Sequence, residues 1–328
     1  MPTLHLDAGD LWQAEYTIAD AKLPEVEATA AIFLEAYKTL GVRAVAVGDR
    51  DLALGVPRLL ALSKKASFAF LSVNVLKDGA PVFKPSVLET VGAFKVGIIG
   101  ATTALFMTKD ARQTTDGITI VEPAELIAKE AEALKAAGAS TVIVLGHLNK
   151  AEVDLVTAAS KHVSLVLGGQ WLEYDELVGR SGDASVLGGF QRGKHVSVVS
   201  AFVKDGSFAF VDRDAKAGLE RRVASLKGQI TGRTSMMANA KKDPAQKDTL
   251  TFLEQNLVQL KTDLQTAEMD LEDLKEPDPK APFITWENRP IDQALADEEA
   301  LAKRIAKHRE TYPDPTKPKT PPLPAKPH

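Results

Sequence analysis

The chain predicts an α/β fold built on a mostly parallel, buried sheet, and three observations carry that reading. Short apolar runs alternate with helical patterns from Leu4 to Val211. The runs are almost continuous in Val, Ile, Leu and Ala, as strands covered on both faces must be. Several of them end in Gly and then a polar side chain, the pattern of ligand-bearing loops at the carboxyl edge of a parallel sheet.

The elements follow in order. Thr3–Leu6 is the first candidate strand, and "LDAGDLW" (6–12) comes at once. The chain therefore reads as entering a domain after its first element. Pro24–Leu40 is helical, with Val26, Ala30, Phe33, Leu34 and Tyr37 on one face and Gly41 as the stop. Arg43–Val47 is a strand, followed by the charged turn "VGDRDLALG" (47–55) and a short helical pattern through Leu59 and Leu60. Phe68–Val73, Phe94–Ile99, Thr141–Leu145 and Val163–Leu167 are further strands. The helical stretch Pro123–Ala137, ended by Gly138, lies among them. His195–Val203 and Ser207–Val211 are joined by "KDG", which predicts a hairpin.

The pattern changes near Asp212. Leu219, Val223, Leu226 and Ile230 alternate four- and three-residue steps, and Leu250, Leu253, Leu257, Leu260, Leu264, Ala267, Leu271 and Leu274 continue them as a heptad seam. Two helices folded into an antiparallel hairpin satisfy this pattern, and so does an intermolecular coiled coil. The expected organisation is an α/β domain over 1–212, a helical hairpin or coiled coil over 213–275, and an irregular segment over 276–328. That last segment holds a short helix within Ile291–Tyr312 and a Pro- and Lys-rich tail, "TYPDPTKPKTPPLPAKPH", expected to be extended.

Composition removes several classes of function. The 328 residues carry a net charge of -4, so there is no basic footprint for nucleic acid. The chain has no cysteine, which removes disulfides, thiolate metal sites and a thiol nucleophile. No apolar run is long enough to span a membrane. The N-terminus lacks the basic-then-apolar order of a signal peptide.

Four loops concentrate the chemistry: "LDAGDLW" (6–12), "VGDRDLALG" (47–55), "LGHLNK" (145–150) and "LGGQWL" (167–172). In a parallel sheet their carboxyl ends share an edge, so Asp10, Asp49, His147 and Gln170 are expected to converge. Two carboxylates and an imidazole are ligand types for a divalent metal.

The order "DAGD … GDRD … KVGIIGATT … VIVLGH … LVLGGQ" resembles the calcineurin-like metallophosphoesterases, in their periplasmic 5′-nucleotidase branch. The helical region resembles the extension of a bacterial subgroup of that branch. The resemblance implies a four-layer α-β-β-α sandwich, N-terminally incomplete here, and a two-metal site that activates water. It implies five motifs. An N-terminal Asp-x-His has no counterpart before Asp10. Gly9-Asp10 matches the Gly-Asp whose carboxylate bridges the metals. Gly48-Asp49-Arg50-Asp51 stands for Gly-Asn-His-Glu, so Asp49 takes a ligand position and Arg50 replaces the catalytic His. Gly146-His147 matches the fourth motif, and Gly169-Gln170 stands where the fifth places histidines.

A two-metal centre is therefore not expected; Asp10, Asp49, His147 and Gln170 hold either one divalent metal (Mn, Zn or Fe) or none. Arg50 is either an anion-binding cation or a partner for Asp10 or Asp49. Two functions follow: a weakly active or inactive relative with a binding or scaffold role, or an active metal-dependent phosphoester hydrolase. The expected partners are a phosphate-containing small molecule and a protein partner, or a second copy, at the helical hairpin. By resemblance the location is the periplasm or cell envelope; with no export signal in the chain, the cytoplasm stays open.

Overall fold

The computed structural model describes residues 1–12, 16–103, 117–168, 178–188, 195–204, 206–208, 210–213, 215–241, 247–274, 278, 280–291 and 297–313. Its first sheet has three strands, β1 (His5–Asp7), β2 (Val42–Ala46) and β3 (Ala69–Leu71), all parallel and in that order. Helix α1 (Leu23–Leu40) crosses from β1 to β2 and α2 (Val56–Ser63) from β2 to β3. Gly41 ends α1 at φ 66°, a left-handed cap that glycine adopts without a Cβ clash.

After β4 (Val75–Lys77), β5 (Ala80–Pro81), β6 (Ser86–Val91) and β7 (Phe94–Thr102) come β8 (Ile118–Ile120) and helix α3 (Ala124–Ala136). Then follow β9 (Thr141–His147), α4 (Lys150–Ala159), β10 (Val163–Leu167), β11 (Val178–Ser181) and β12 (Ala184–Leu187). The second sheet runs β11-β12-β10-β9-β7-β6. Strands β7, β9, β10 and β12 are parallel, and β6 and β11 close the edges antiparallel. Strands β5, β4 and β8 form a small antiparallel sheet.

Strand periodicity sorts the core into three apolar clusters. Val45 and Phe70 face α1 and α2 and pack with Ala30, Leu54 and Leu59. Ala44, Ala46 and Leu71, on the opposite faces of β2 and β3, pack with Ile98 and Leu145 of the second sheet. Ile99, Val142, Val144 and Val166 turn the other way, toward Ile127, Ala131 and Val156 of α3 and α4. Burying each large side chain of this kind contributes about 1.5–3 kcal/mol. The contact between sheets is close: a Cβ on Gly100 would lie 2.3 Å from Leu71 Cβ.

Two expectations need correction. The first strand is displaced toward the site loop, ending at Asp7 and not at Leu6. At the expected KDG hairpin, Lys204 and Ser207 form an antiparallel bridge among the described residues. The partner of β13 (His195–Phe202) is instead β15 (Phe283–Pro290), antiparallel over eight residue pairs, with β14 (Val211–Asp212) on its far side. The stretch read as irregular is thus a central strand. Ile284 and Trp286 pack with Leu165, Leu187 and Phe210, while Phe283 stacks on Phe202 with ring centroids 4.3 Å apart.

Helices α5 (Ala215–Ala240) and α6 (Lys247–Asp273) lie along one another. Leu226, Leu260 and Ala267 are buried between them with Val223, Ile230 and Leu264, all seam positions of the heptad pattern. Lys227 pairs with Glu268 at 2.7 Å and Arg233 with Asn256 at 2.9 Å, which makes the two helices antiparallel. Helix α7 (Glu299–Thr311) falls within the expected helical stretch and packs on α1, where His308 Nε2 meets Thr29 Oγ1 at 3.1 Å. The tail from residue 314 lies outside the described residues.

Candidate functional site

Asp10 follows β1, and Asp49, Arg50 and Asp51 follow β2, so neighbouring parallel strands deliver all four to one edge. Glycines make the close approach possible. Gly9 has φ 102°, and a Cβ there would lie 2.6 Å from the Ala46 carbonyl oxygen. A Cβ on Gly48 would fall 2.0 Å from Asp10 Oδ1. Asp10 itself sits at φ 58°, a left-handed conformation that Asp accepts more readily than most side chains.

Asp51 clamps the two loops. Its Oδ2 accepts from the amides of Asp10 and Gly48, each at 2.9 Å, and its Oδ1 accepts from the Leu11 amide at 2.9 Å. The residue is 1% exposed. Burial first, then the charge on Asp10, push its pKa up to about 8, against the pull of the three amides.

The Arg50 amide donates to Asp10 Oδ1 at 3.0 Å and to Asp49 Oδ1 at 3.1 Å, so two carboxylates converge on one N–H. The guanidinium returns over the same group. Its Nη1 lies 3.7 Å from Asp10 Oδ2, and its Cζ lies 5.1 Å from the Tyr16 ring centroid. Burial works against the Arg50 charge, but Tyr16, Asp10 and Asp49 outweigh it and hold the pKa above the ordinary arginine value.

Behind this cluster, Asp7 Oδ1 accepts from the Gly9 amide at 2.8 Å and Asp7 Oδ2 from the Tyr37 hydroxyl at 2.6 Å. Burial and the Asp7 carboxylate raise the Tyr37 pKa, so the phenol stays protonated. Across the sheets, Thr102 Oγ1 donates to the Val47 carbonyl at 2.7 Å. Asn74 holds Thr102 in place, accepting from its amide at 2.9 Å and donating to its carbonyl at 2.6 Å.

The four expected loops do meet. A Cβ on Gly168 would lie 2.5 Å from Ala8 Cβ and 2.8 Å from the Gly146 carbonyl, and one on Gly146 would lie 2.1 Å from the Ala101 carbonyl. Of the expected site residues, Asp10, Asp49 and Arg50 stand together. His147 ends β9 with its backbone in register with Thr102; its side chain, and Gln170, lie outside the described residues. Sequence reasoning passed over Asp51 as a clamp, and Asp7, Tyr16 and Tyr37 as its surroundings. Only Asp7 carried a signal, an Asx-type turn onto the Gly two residues later.

These donors allow a test of the metal that the resemblance implies. The Asp51 oxygens are taken by three amides. Asp10 faces a guanidinium. Among the described residues, no group of three or more His, Asp or Glu side chains comes together that could hold a metal ion. The described side chains place a fixed cation beside two carboxylates; the other two expected ligands, the His147 side chain and Gln170, lie outside the described residues.

No protein-family model matches the chain. Among curated proteins it is similar to the snake venom 5′-nucleotidases of Gloydius brevicauda (31% identical) and Crotalus adamanteus (30%), each over 173 residues. The match covers 51% of this chain and only 28% of either relative. Among solved structures it is similar to the sulfate thiohydrolase SoxB of Thermus thermophilus, with TM-score 0.52, 22% identity, and 62% of this chain and 36% of that chain covered. A 5′-nucleotidase precursor from the same organism gives TM-score 0.50 and 24% identity, covering 63% of this chain and 43% of that one. A 5′-nucleotidase from Staphylococcus aureus gives 0.50 and 17%, covering 62% and 42%. The fold is of the metallophosphoesterase type. Within that type it is 5′-nucleotidase-like. No described helix is long and apolar enough to cross a membrane.

Proposed function

We propose that this chain is a 5′-nucleotidase-like domain that has exchanged phosphoester hydrolysis for a binding or scaffold role in the cell envelope. The observation that supports this is the seat of Arg50 against Asp10. In the resemblance, that loop position belongs to the catalytic His. A guanidinium keeps its charge at any working pH and delivers no proton. Asp10 and Asp49 beside Arg50 also leave the described cluster with no excess positive charge to draw in a phosphate. On this reading the three apolar clusters are those of the four-layer α-β-β-α sandwich, carried by residues 1–212, and the helical hairpin of 213–275 is the contact element. Met236, Phe252, Val258 and Met269 support the second point: all four stand more than half exposed on α5 and α6.

The test is hydrolysis of nucleoside 5′-monophosphates and p-nitrophenyl phosphate by the full chain with Mn²⁺, beside Asp10→Asn. Turnover no higher than that of the variant is expected. Mn²⁺-dependent turnover that Asp10→Asn abolishes would establish the active hydrolase in its place.

A further inference from the structure

We infer that Arg50 is a built-in counter-cation, its guanidinium filling beside Asp10 and Asp49 the role that a divalent ion would otherwise fill. The inference rests on the same placement of Arg50 as the functional proposal; metal-independent turnover would fail that proposal alone, and Mn²⁺ retained without turnover would fail this inference alone.

Burial states the problem the site must solve. The Asp10 side chain is 8% exposed and Asp49 is 1% exposed. Both carboxylates point at the Arg50 amide, at 3.0 and 3.1 Å. Two carboxylates held this way, out of water and close together, repel and lose hydration unless a positive charge stands with them. The amide is a dipole and carries no net charge.

The arrangement is constructed, because the backbone is bent to make it. Asp10 takes a left-handed φ, and Gly48 gives up its side chain so that Asp10 Oδ1 can occupy that space. The charge that answers the pair comes from the same loop. Arg50 Nη1 lies 3.7 Å from Asp10 Oδ2, while the Tyr16 ring covers the guanidinium at 5.1 Å from Cζ. Ring and carboxylate together fix a long side chain that would otherwise wander. A cation supplied by the chain is present as soon as the chain folds. Stability of the site then carries no dependence on metal concentration, whereas an ion bound only by the folded state would impose one.

The experiment compares thermal unfolding of the full chain in EDTA and in Mn²⁺, together with ions retained per chain after gel filtration. The native chain should melt at one temperature in both buffers and retain no Mn²⁺. Arg50→Ala should melt several degrees lower in EDTA, and Mn²⁺ should restore much of that loss by binding the orphaned carboxylates. Arg50→Ala combined with Asp10→Asn should melt higher in EDTA than Arg50→Ala alone and ignore Mn²⁺. Arg50→Lys keeps a cation in place and should stay close to the native melting temperature without responding to Mn²⁺; it carries the test if Arg50→Ala does not fold. One Mn²⁺ per native chain, lost in Asp49→Ala, would overturn the inference. So would an Arg50→Lys protein that, like Arg50→Ala, loses stability in EDTA and regains it with Mn²⁺. Turnover in the hydrolysis assay would remove the functional proposal and leave this one standing, provided that turnover needed no metal.

Discussion

Gly48 and Asp10 share one space: a Cβ on Gly48 would lie 2.0 Å from Asp10 Oδ1 and 2.6 Å from the Asp10 amide nitrogen. The neighbour is partly backbone and partly a side chain pinned by the Arg50 amide, so neither can step aside cheaply. Gly48→Ala should therefore cost about 2–4 kcal/mol, at the upper end for overpacking, and should displace Arg50 from Asp10. Urea unfolding measures the loss. A change within about 0.5 kcal/mol, the size of an ordinary surface substitution, would show that the two loops are not in contact.

Asp51 makes a prediction in pH. Its ordinary pKa of 3.8 rises to about 8 in the folded chain, through burial and then the charge of Asp10. A raised carboxyl pKa means that the folded state holds the proton more tightly than the unfolded one. Its contribution to stability is complete below the unfolded value and is lost as pH climbs through the folded one. The stability advantage of the native chain over Asp51→Asn should thus be largest near pH 4 and shrink toward pH 8. Asp51→Asn should also be less stable at pH 4, by about 1–3 kcal/mol, because an amide side chain cannot accept from Leu11 on one atom while accepting from Asp10 and Gly48 on the other. Denaturant titrations of both proteins across this range decide it. A difference that stayed flat with pH would place the Asp51 pKa at its ordinary value.

Tyr37 reaches Asp7 from the helix on the outer side of the first sheet. Its ring is held on two sides, by Phe33 at 5.8 Å and Phe68 at 5.7 Å between centroids. Tyr37→Phe leaves those contacts and removes only the hydroxyl that donates to Asp7. The expected cost is about 1–3 kcal/mol, since a part-buried carboxylate loses a donor. Because Asp7 also accepts from the Gly9 amide, the loss should reach the site loop as faster amide exchange at Gly9 and Asp10. Hydrogen exchange unchanged at those two amides would confine Tyr37 to a packing role.

Strands β1, β2, β3, β7, β9 and β10 were legible as dense apolar runs, several of them followed by Gly, while the parallel strand β12, only four residues long, was not read from the sequence. Asp10, Asp49 and Arg50 were legible as a group for the same reason. Asp51 was not, because two of its three partners lie some forty residues earlier and all three are backbone amides, which no side-chain pattern announces. The left-handed Asp10 was hidden as well, since glycine is the usual sign of that conformation. Strand β15 was masked by its own chemistry. Charged Glu287 and Arg289 and the closing Pro290 outweigh Ile284 and Trp286 to the eye, and the pairing that stabilises it comes from residues ninety positions away. The heptad seam, by contrast, needed only local spacing, and its buried members are the ones the spacing picks out.

That seam yields the last prediction. Leu260 is 8% exposed and Ala267 fully buried between α5 and α6. Leu260→Ala leaves a cavity and should cost about 2–3 kcal/mol, in the lower part of the core range because two helices can partly collapse around it. Ala267→Leu fails for the opposite reason, forcing the helices apart at a cost of about 1–3 kcal/mol. Both residues belong to an apolar cluster separate from those of the first two sheets. Both variants should therefore lower the thermal stability of helix seen by far-ultraviolet circular dichroism, while the melting of the sheet core followed by Trp12 fluorescence, in a background with Trp171 and Trp286 replaced by Phe, moves less. Were the two signals to fall together by the same amount, α5 and α6 would be one cooperative unit with the sheets, and their seam would be part of the domain core and not a separate contact element.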